Sequence, residues 1–188
     1  MLTFSICKLQ QFPNLEFIVQ DINPVMLTQG PKLPAFDQVQ ERVSFMQYDF
    51  CTPQPIQHAG LFLLRQVLHN YNDDKCVTIL RSFVPALEKS APGTGILIND
   101  MVLPAANTKP KVEEHALRQL DMAMLGGYAA KQRTLNEFKG LLEKADSRFK
   151  VGAPTFSACC LTLIQCISWP RYMVKGLWGC WKFNLNAS

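Results

Sequence analysis

Four short apolar runs, each closing on a polar residue and separated by helix-patterned stretches, constrain this chain more than any other feature. They are LEFIVQD (15–21), VSFMQYD (43–49), GLFLLRQVLH (60–69) and TGILIND (94–100). Runs this short, rich in Ile, Val, Leu and Phe and lacking strict polar alternation, suit strands buried on both faces, as in a parallel sheet. Between and after them the period changes. Asn72 is positioned to cap a helix, and Val77, Leu80, Phe83, Val84 and Leu87 share one helical face until the APGTG turn (91–95). Residues 112–125 also read as a helix. Thr134 and Glu137 form a capping-box pair opening another, with Leu135, Phe138, Leu141 and Leu142 on its apolar side. Strand, helix, strand, helix predicts an open α/β sheet, mostly parallel, with helices on both faces.

In such a sheet the carboxyl ends of the strands share one rim, and ligands bind there. Asp21, Asp49, His69 and Asp100 each close a different run. Any one of them is explained by the turn-forming habit of polar residues. Four together point to a site. A carboxylate ending an early strand, such as Asp21, can accept both hydroxyls of a cofactor ribose, because one carboxylate spans a vicinal diol. Asp49 followed by Phe50 can receive an adenine, the acid accepting from its amine and the ring packing on its face. The plain alternative for YDFCTP (48–53) is a strand end and a turn.

Composition narrows the class. The 188 residues are 48% apolar and 18% charged, as expected of one soluble globular domain, and no stretch of about 18 apolar residues is present to span a membrane. The seven cysteines show neither CxxC nor Cys/His ligand spacing, which predicts reduced thiols, no metal and a cytoplasmic location. No basic stripe with interleaved aromatics suggests nucleic acid. From Val151 the composition breaks: residues 151–188 hold all three tryptophans, four cysteines and no acid. The expected division is therefore 1–150, the catalytic part, and 151–188, an apolar and basic tail. That tail reads either as a final strand pair or as a membrane-surface segment.

The segments FPNLEFIVQD, RVSFMQYDF, LLRQVLHNYNDDKCVTIL, ILINDMVLP and AKQRTLNEF resemble, in order and approximate spacing, the S-adenosylmethionine-dependent O-methyltransferases of the caffeate and flavonoid type, in particular their fungal secondary-metabolite branch. The resemblance covers residues 12–151. It implies a Rossmann-like methyltransferase sheet, an S-adenosylmethionine cofactor and a small phenolic acceptor such as a polyketide. It further implies that Asp21 holds the ribose, that Asp49 and Phe50 flank the adenine, and that Arg65 lies near the cofactor. His69 matches the family's general base, Asp100 and Gln132 the residues that orient it, and Met124 a contact to the acceptor ring. A histidine with an ordinary pKa of about 6.5 can take a phenolic proton near neutral pH without a metal.

Members of this family open their sheet with a strand and a glycine-rich turn that lets the backbone approach the methionine end of the cofactor. Here the first glycine is Gly30, beyond Asp21. The helical region through which full-length relatives form homodimers has no counterpart either. The expectation is an incomplete sheet in a shortened chain, with strand edges left open where a central strand belongs. Two functions follow: an O-methyltransferase using His69 as base, or a catalytically inactive methyltransferase-like module. A nicotinamide-dependent oxidoreductase is set aside because no G-x-G-x-x-G turn is present.

Overall fold

The computed structural model describes residues 8–33 and 36–152, together with the strand backbones at 155–157 and 162–168. Its strands are β1 (Phe17–Asp21), β2 (Val43–Gln47), β3 (Leu61–Arg65), β4 (Gly95–Asp100), β5 (Val102–Leu103), β6 (Arg133–Thr134), β7 (Lys150–Val151), β8 (Thr155–Ser157) and β9 (Thr162–Ser168). The helices are α1 (Pro24–Gln29), α2 (Asp73–Ser82), α3 (Val84–Lys89), α4 (Lys111–Tyr128) and α5 (Leu135–Ala145).

The strands that carry the candidate site pair in parallel. β1 runs beside β2 with Asp21 opposite Gln47, and β3 beside β4 with Arg65 opposite Asn99. β5 and β6 form a third parallel pair, which sets Arg133 opposite Val102. β9 runs antiparallel to β4 and β7, with β8 paired to it as well. Thus part of the compositionally distinct tail is built into the sheet beside β4. Among the described residues no ladder joins β1 to β3, so each presents an unpaired edge.

Two cores result. The larger packs Phe62, Leu64, Ile96 and Ile98 of the β3–β4 pair against Ile79 and Leu80 of α2, Ala86 and Leu87 of α3, and Phe138, Leu141 and Leu142 of α5. The smaller gathers Leu9, Phe36, Val39 and Val43, with Phe17, Val19 and Phe45 against them. Away from both, Ile18 and Ile22 of the β1 region and Val25 and Met26 of α1 are exposed. The Gln20 and Gln54 side chains exchange two amide hydrogen bonds of 3.0 and 2.9 Å, and the Gln54 N–H donates to Ser82 O at 2.9 Å. These bonds tie the β1–β2 pair to the end of α2.

Several expected boundaries move. The run 60–69 stops being a strand at Arg65, so His69 lies on a 3₁₀ turn, Leu68–Asn70, and does not close a strand. Asp49 likewise falls two residues beyond β2. The single helix expected after Asn72 is two, broken at Phe83 because Pro85 in the next turn has no N–H to continue the ladder. Its buried side is Cys76, Ile79, Leu80, Phe83, Ala86 and Leu87, shifted from the expected face; Val77 and Val84 are only half-buried. α4 extends to Tyr128, past the expected end. α5 opens on Thr134 with the capping box formed in both directions.

α4 ends on a residue poorly suited to its conformation. Ala129 is left-handed, φ 48°, and its N–H donates to Leu125 O, closing the last turn. A side chain there costs about 1–2 kcal/mol relative to glycine, partly offset by the freedom glycine regains on unfolding. Ala129 is exposed, so no packing is lost by removing its methyl. Ala129→Gly should stabilise the chain by about 0.5–1 kcal/mol and raise Tm by roughly 1–4 °C in thermal unfolding.

The capping box carries a pH signature. Burial pushes the Glu137 carboxyl up, but hydrogen bonds from Lys131 and from the Thr134 backbone and hydroxyl outweigh it and bring the group down to about 2. A carboxyl lowered in the folded state stabilises above its unfolded value, near 4.5, and loses that contribution as pH falls toward 2. Thermal melts of the parent and Glu137→Gln should therefore differ most at pH 5 and above and converge by about pH 2.

Candidate active site

The centre of the site is built where β3 leaves the sheet. Gln66 is left-handed, φ 53°, while its N–H still reaches Asn99 O at 2.9 Å. The chain thus keeps one more bond to β4 and then turns sharply. Leu68 is driven fully into the larger core, which fixes the start of the 3₁₀ turn and puts His69 at its middle. Asn72 ends the segment by accepting the Lys75 N–H at 3.0 Å and starting α2.

Asp100, the last residue of β4, faces this turn. One carboxylate oxygen lies 2.5 Å from His69 Nδ1 and the other accepts the Leu68 N–H at 3.0 Å. The carboxylate is 1% exposed and the imidazole 18%. Charge-assisted bonds of this kind contribute about 1.5–3 kcal/mol each, which offsets the cost of removing the carboxylate from water. An ionised carboxylate only accepts, so in this bond Nδ1 is the donor, and Nε2 is the ring nitrogen that Asp100 does not engage.

Beneath the turn lies Arg133, whose side chain is fully buried. Its Nη1 donates to Leu68 O and its Nη2 to Tyr71 O, both at 2.8 Å, while Nε and Nη2 reach one Asp73 oxygen at 3.0 and 2.8 Å. Burial alone would raise the Asp73 carboxyl, but the hydrogen bonds and charge of Arg133, with help from Lys131, hold it below its usual range. The Cys76 thiol donates to the same two carbonyls, and burial pushes it up to about 11, so it remains a thiol. Arg133 lies within AKQRTLNEF, but nothing in that segment assigns it a role. A lone arginine opening a helix carries no signal that its partners lie more than 60 residues earlier.

The remaining residues fall around this centre. Asp21 ends β1, and one of its oxygens accepts the Asn23 N–H at 2.8 Å. The Tyr48 N–H donates to Asp21 O, so the ends of β1 and β2 lie side by side. Asp49 accepts the Cys51 N–H at 2.9 Å, and its carbonyl accepts from Thr52, forming a tight turn. Phe50 meets Tyr71 edge to face, with ring centroids 5.6 Å apart, which brings the Asp49 turn against the segment just after His69. Arg65 ends β3 opposite Asn99. Met124 is half-buried on α4, a helix that packs against the 68–70 turn. Gln132 is buried, its N–H donating to Asp121, but no hydrogen bond joins it to His69 and its Oε1 has no partner. Among the described residues no three His, Cys, Asp or Glu are grouped to hold a metal ion.

The chain belongs to the O-methyltransferase domain family, whose model matches residues 5–148. It is 50% identical over 147 residues to O-methyltransferase sol2 of Alternaria solani, covering 78% of this chain and 34% of that protein. It is 35% identical over 169 residues to the grayanic acid biosynthesis cluster O-methyltransferase of Cladonia grayi, covering 89% of this chain and 37% of that protein. The chain thus spans about a third of the length of these curated relatives. Among solved structures, LepI in complex with SAM superposes with a TM-score of 0.72 at 23% identity, covering 89% of this chain and 40% of that one. Human N-acetylserotonin methyltransferase in complex with SAM gives 0.66 at 22%, covering 86% and 42%. These likenesses place the fold among the Rossmann-like methyltransferases. Among the described residues no helix is long and apolar enough to cross a membrane.

The left-handed Gln66 is the strained point of the site, and a β-branched residue tolerates that conformation least. Gln66→Val should destabilise the chain by about 1–3 kcal/mol, whereas Gln66→Gly should leave stability equal or higher, as read by chemical denaturation.

Proposed function

We propose that this chain carries the general base and the adenosine-side rim of an S-adenosylmethionine-dependent O-methyltransferase, acting in the cytoplasm on a phenolic hydroxyl of a small secondary metabolite such as a polyketide. One observation carries the reading: His69 Nδ1 is bound to a buried aspartate that is itself fixed by the Leu68 backbone. That arrangement orients the imidazole and leaves Nε2 as the proton acceptor. The Asp100 charge then stabilises the imidazolium formed when Nε2 takes the phenolic proton, as buried carboxylates do for histidine bases elsewhere.

The acceptor groups on the rim suit the nucleoside half of the cofactor. Asp21 and Asp49 each spend one oxygen on a local backbone N–H. The second oxygen of each remains for a ribose hydroxyl or an adenine amine, and the half-buried Phe50 offers an apolar surface to the base. Asn99 Oδ1, a buried acceptor with no partner beside Arg65 on β3, would take a hydrogen from the cationic end. When bound, the cofactor supplies an electrophilic methyl group on sulfonium. Met124 on α4 and Gln132, the residue before β6, would border the acceptor.

A second reading, a non-catalytic methyltransferase-like module, draws on the unpaired edges of β1 and β3. Methyl transfer from labelled S-adenosylmethionine to a panel of phenols separates the two. Turnover that falls by about 10²–10⁴ in His69→Ala supports the base. A folded chain that shows no turnover, and no heat of S-adenosylmethionine binding in calorimetry, would establish the second reading instead.

A further inference from the structure

We infer that Arg133 is a positioning residue for His69: its guanidinium sets the height and tilt of the 68–71 turn, and so decides whether the imidazole keeps its bond to Asp100. The inference rests on the proposed role of His69 only for its catalytic meaning. The mechanical claim stands on the hydrogen bonds alone.

The turn is held from two sides. From above, Asp100 takes the Leu68 N–H and His69 Nδ1. From below, Arg133 takes the carbonyls of Leu68 and Tyr71, the residues that bracket His69 and Asn70. A 3₁₀ turn of three residues has few internal bonds; here the Tyr71 N–H to Leu68 O, at 3.2 Å, is the closing one. Its geometry therefore depends on these outside contacts. Guanidinium suits the task because its planar fork reaches two carbonyls and a carboxylate at fixed angles, which an ammonium cannot reproduce. The fork is aimed in turn from both ends: β6 pairs with β5, the strand that follows Asp100, and Asp73 at the start of α2 receives Nε and Nη2. Arg133 thus references the His69 turn both to the chain leaving β4 and to the helix that follows the turn. The Cys76 thiol donates to the same two carbonyls at 3.3 and 3.5 Å, longer than the 2.8 Å of the Arg133 bonds.

The test is nuclear magnetic resonance of the free chain with ¹⁵N-labelled histidine, assigned with His69→Gln. In the parent, His69 should show a proton on Nδ1, shifted downfield by Asp100. In Arg133→Lys and Arg133→Ala this resonance should broaden or vanish and the titration midpoint of His69 should move, while His58 and His115 are unchanged. Guanidinium added to Arg133→Ala should restore the signal. Asp73→Asn, which keeps the arginine but removes its carboxylate, should give a smaller change in the same direction and covers the case in which Arg133→Ala does not fold. Leu142→Ala, a core truncation away from the turn, should lower Tm without moving the His69 signals. Where turnover is measurable, Arg133→Lys should lose about 10- to 100-fold in kcat with KM within about twofold, as misplacement of a reacting group by about 1 Å does. A His69 tautomer and midpoint identical to the parent in folded Arg133→Lys and Asp73→Asn would overturn the inference. Absence of methyl transfer with the resonance changes intact would instead reject only the catalytic reading.

Discussion

The buried Asp100 carboxylate is the interaction on which the site depends. It is spent entirely within the fold, one oxygen on the Leu68 backbone and the other on His69. A carboxylate so enclosed is tolerable only while both partners stay in place. The same two bonds that make Asp100 affordable to bury therefore make the imidazole rigid. Orientation of the imidazole and stability of the β4 end are one requirement, and the core beneath Leu68 serves both.

That requirement explains why the backbone departs from regular structure at this point. For His69 to meet a residue on the neighbouring strand, the chain has to leave β3 early and come back over the rim. Gln66 supplies the departure with a left-handed conformation, and Leu68 supplies the return by burying completely. A strand continued in the same register would have set Gln66 opposite Asp100 and carried His69 roughly 10 Å further along the sheet, out of reach of that carboxylate. The strain at Gln66 is thus offset by contacts that a regular strand would not make.

Much of this organisation was legible in the sequence, and the parts that were not share a physical cause. Apolar runs marked the four strands that carry the site, and Asn72, Thr134 and Glu137 marked two helix starts, because these signals are local. Asp21 and Asp100 were found at strand ends for the same reason. The end of β3 is not legible, since a glutamine carries no expectation of a positive φ and Val67 and Leu68 resume the apolar run after Arg65 and Gln66. The break at Phe83 is signalled by Pro85, against an apolar helical pattern that runs on through Leu87. Arg133 was out of reach altogether: its role is written in backbone carbonyls near residue 70, which no side-chain pattern reports.

The two halves of the site rest on different foundations. His69, Asp100 and Arg133 are anchored in the larger core, where three helices cover the β3–β4 pair. Asp21 and the strand leading to Asp49 stand on the smaller cluster around Leu9, Phe36, Val39 and Val43. Between them run the Gln20–Gln54 amide pair, the Gln54 N–H bond to Ser82 O and the Phe50–Tyr71 contact, and among the described residues no strand ladder joins them. Local opening has a free energy set by the contacts a region would lose, and the β1–β2 pair has fewer buried contacts to lose than the β3–β4 pair. A nucleoside bound across Asp21 and Asp49 would then do more than occupy a rim. By binding only the closed arrangement it would stabilise the weaker half, drawing the Asp49 turn and Phe50 against Tyr71 and so against the segment that holds His69.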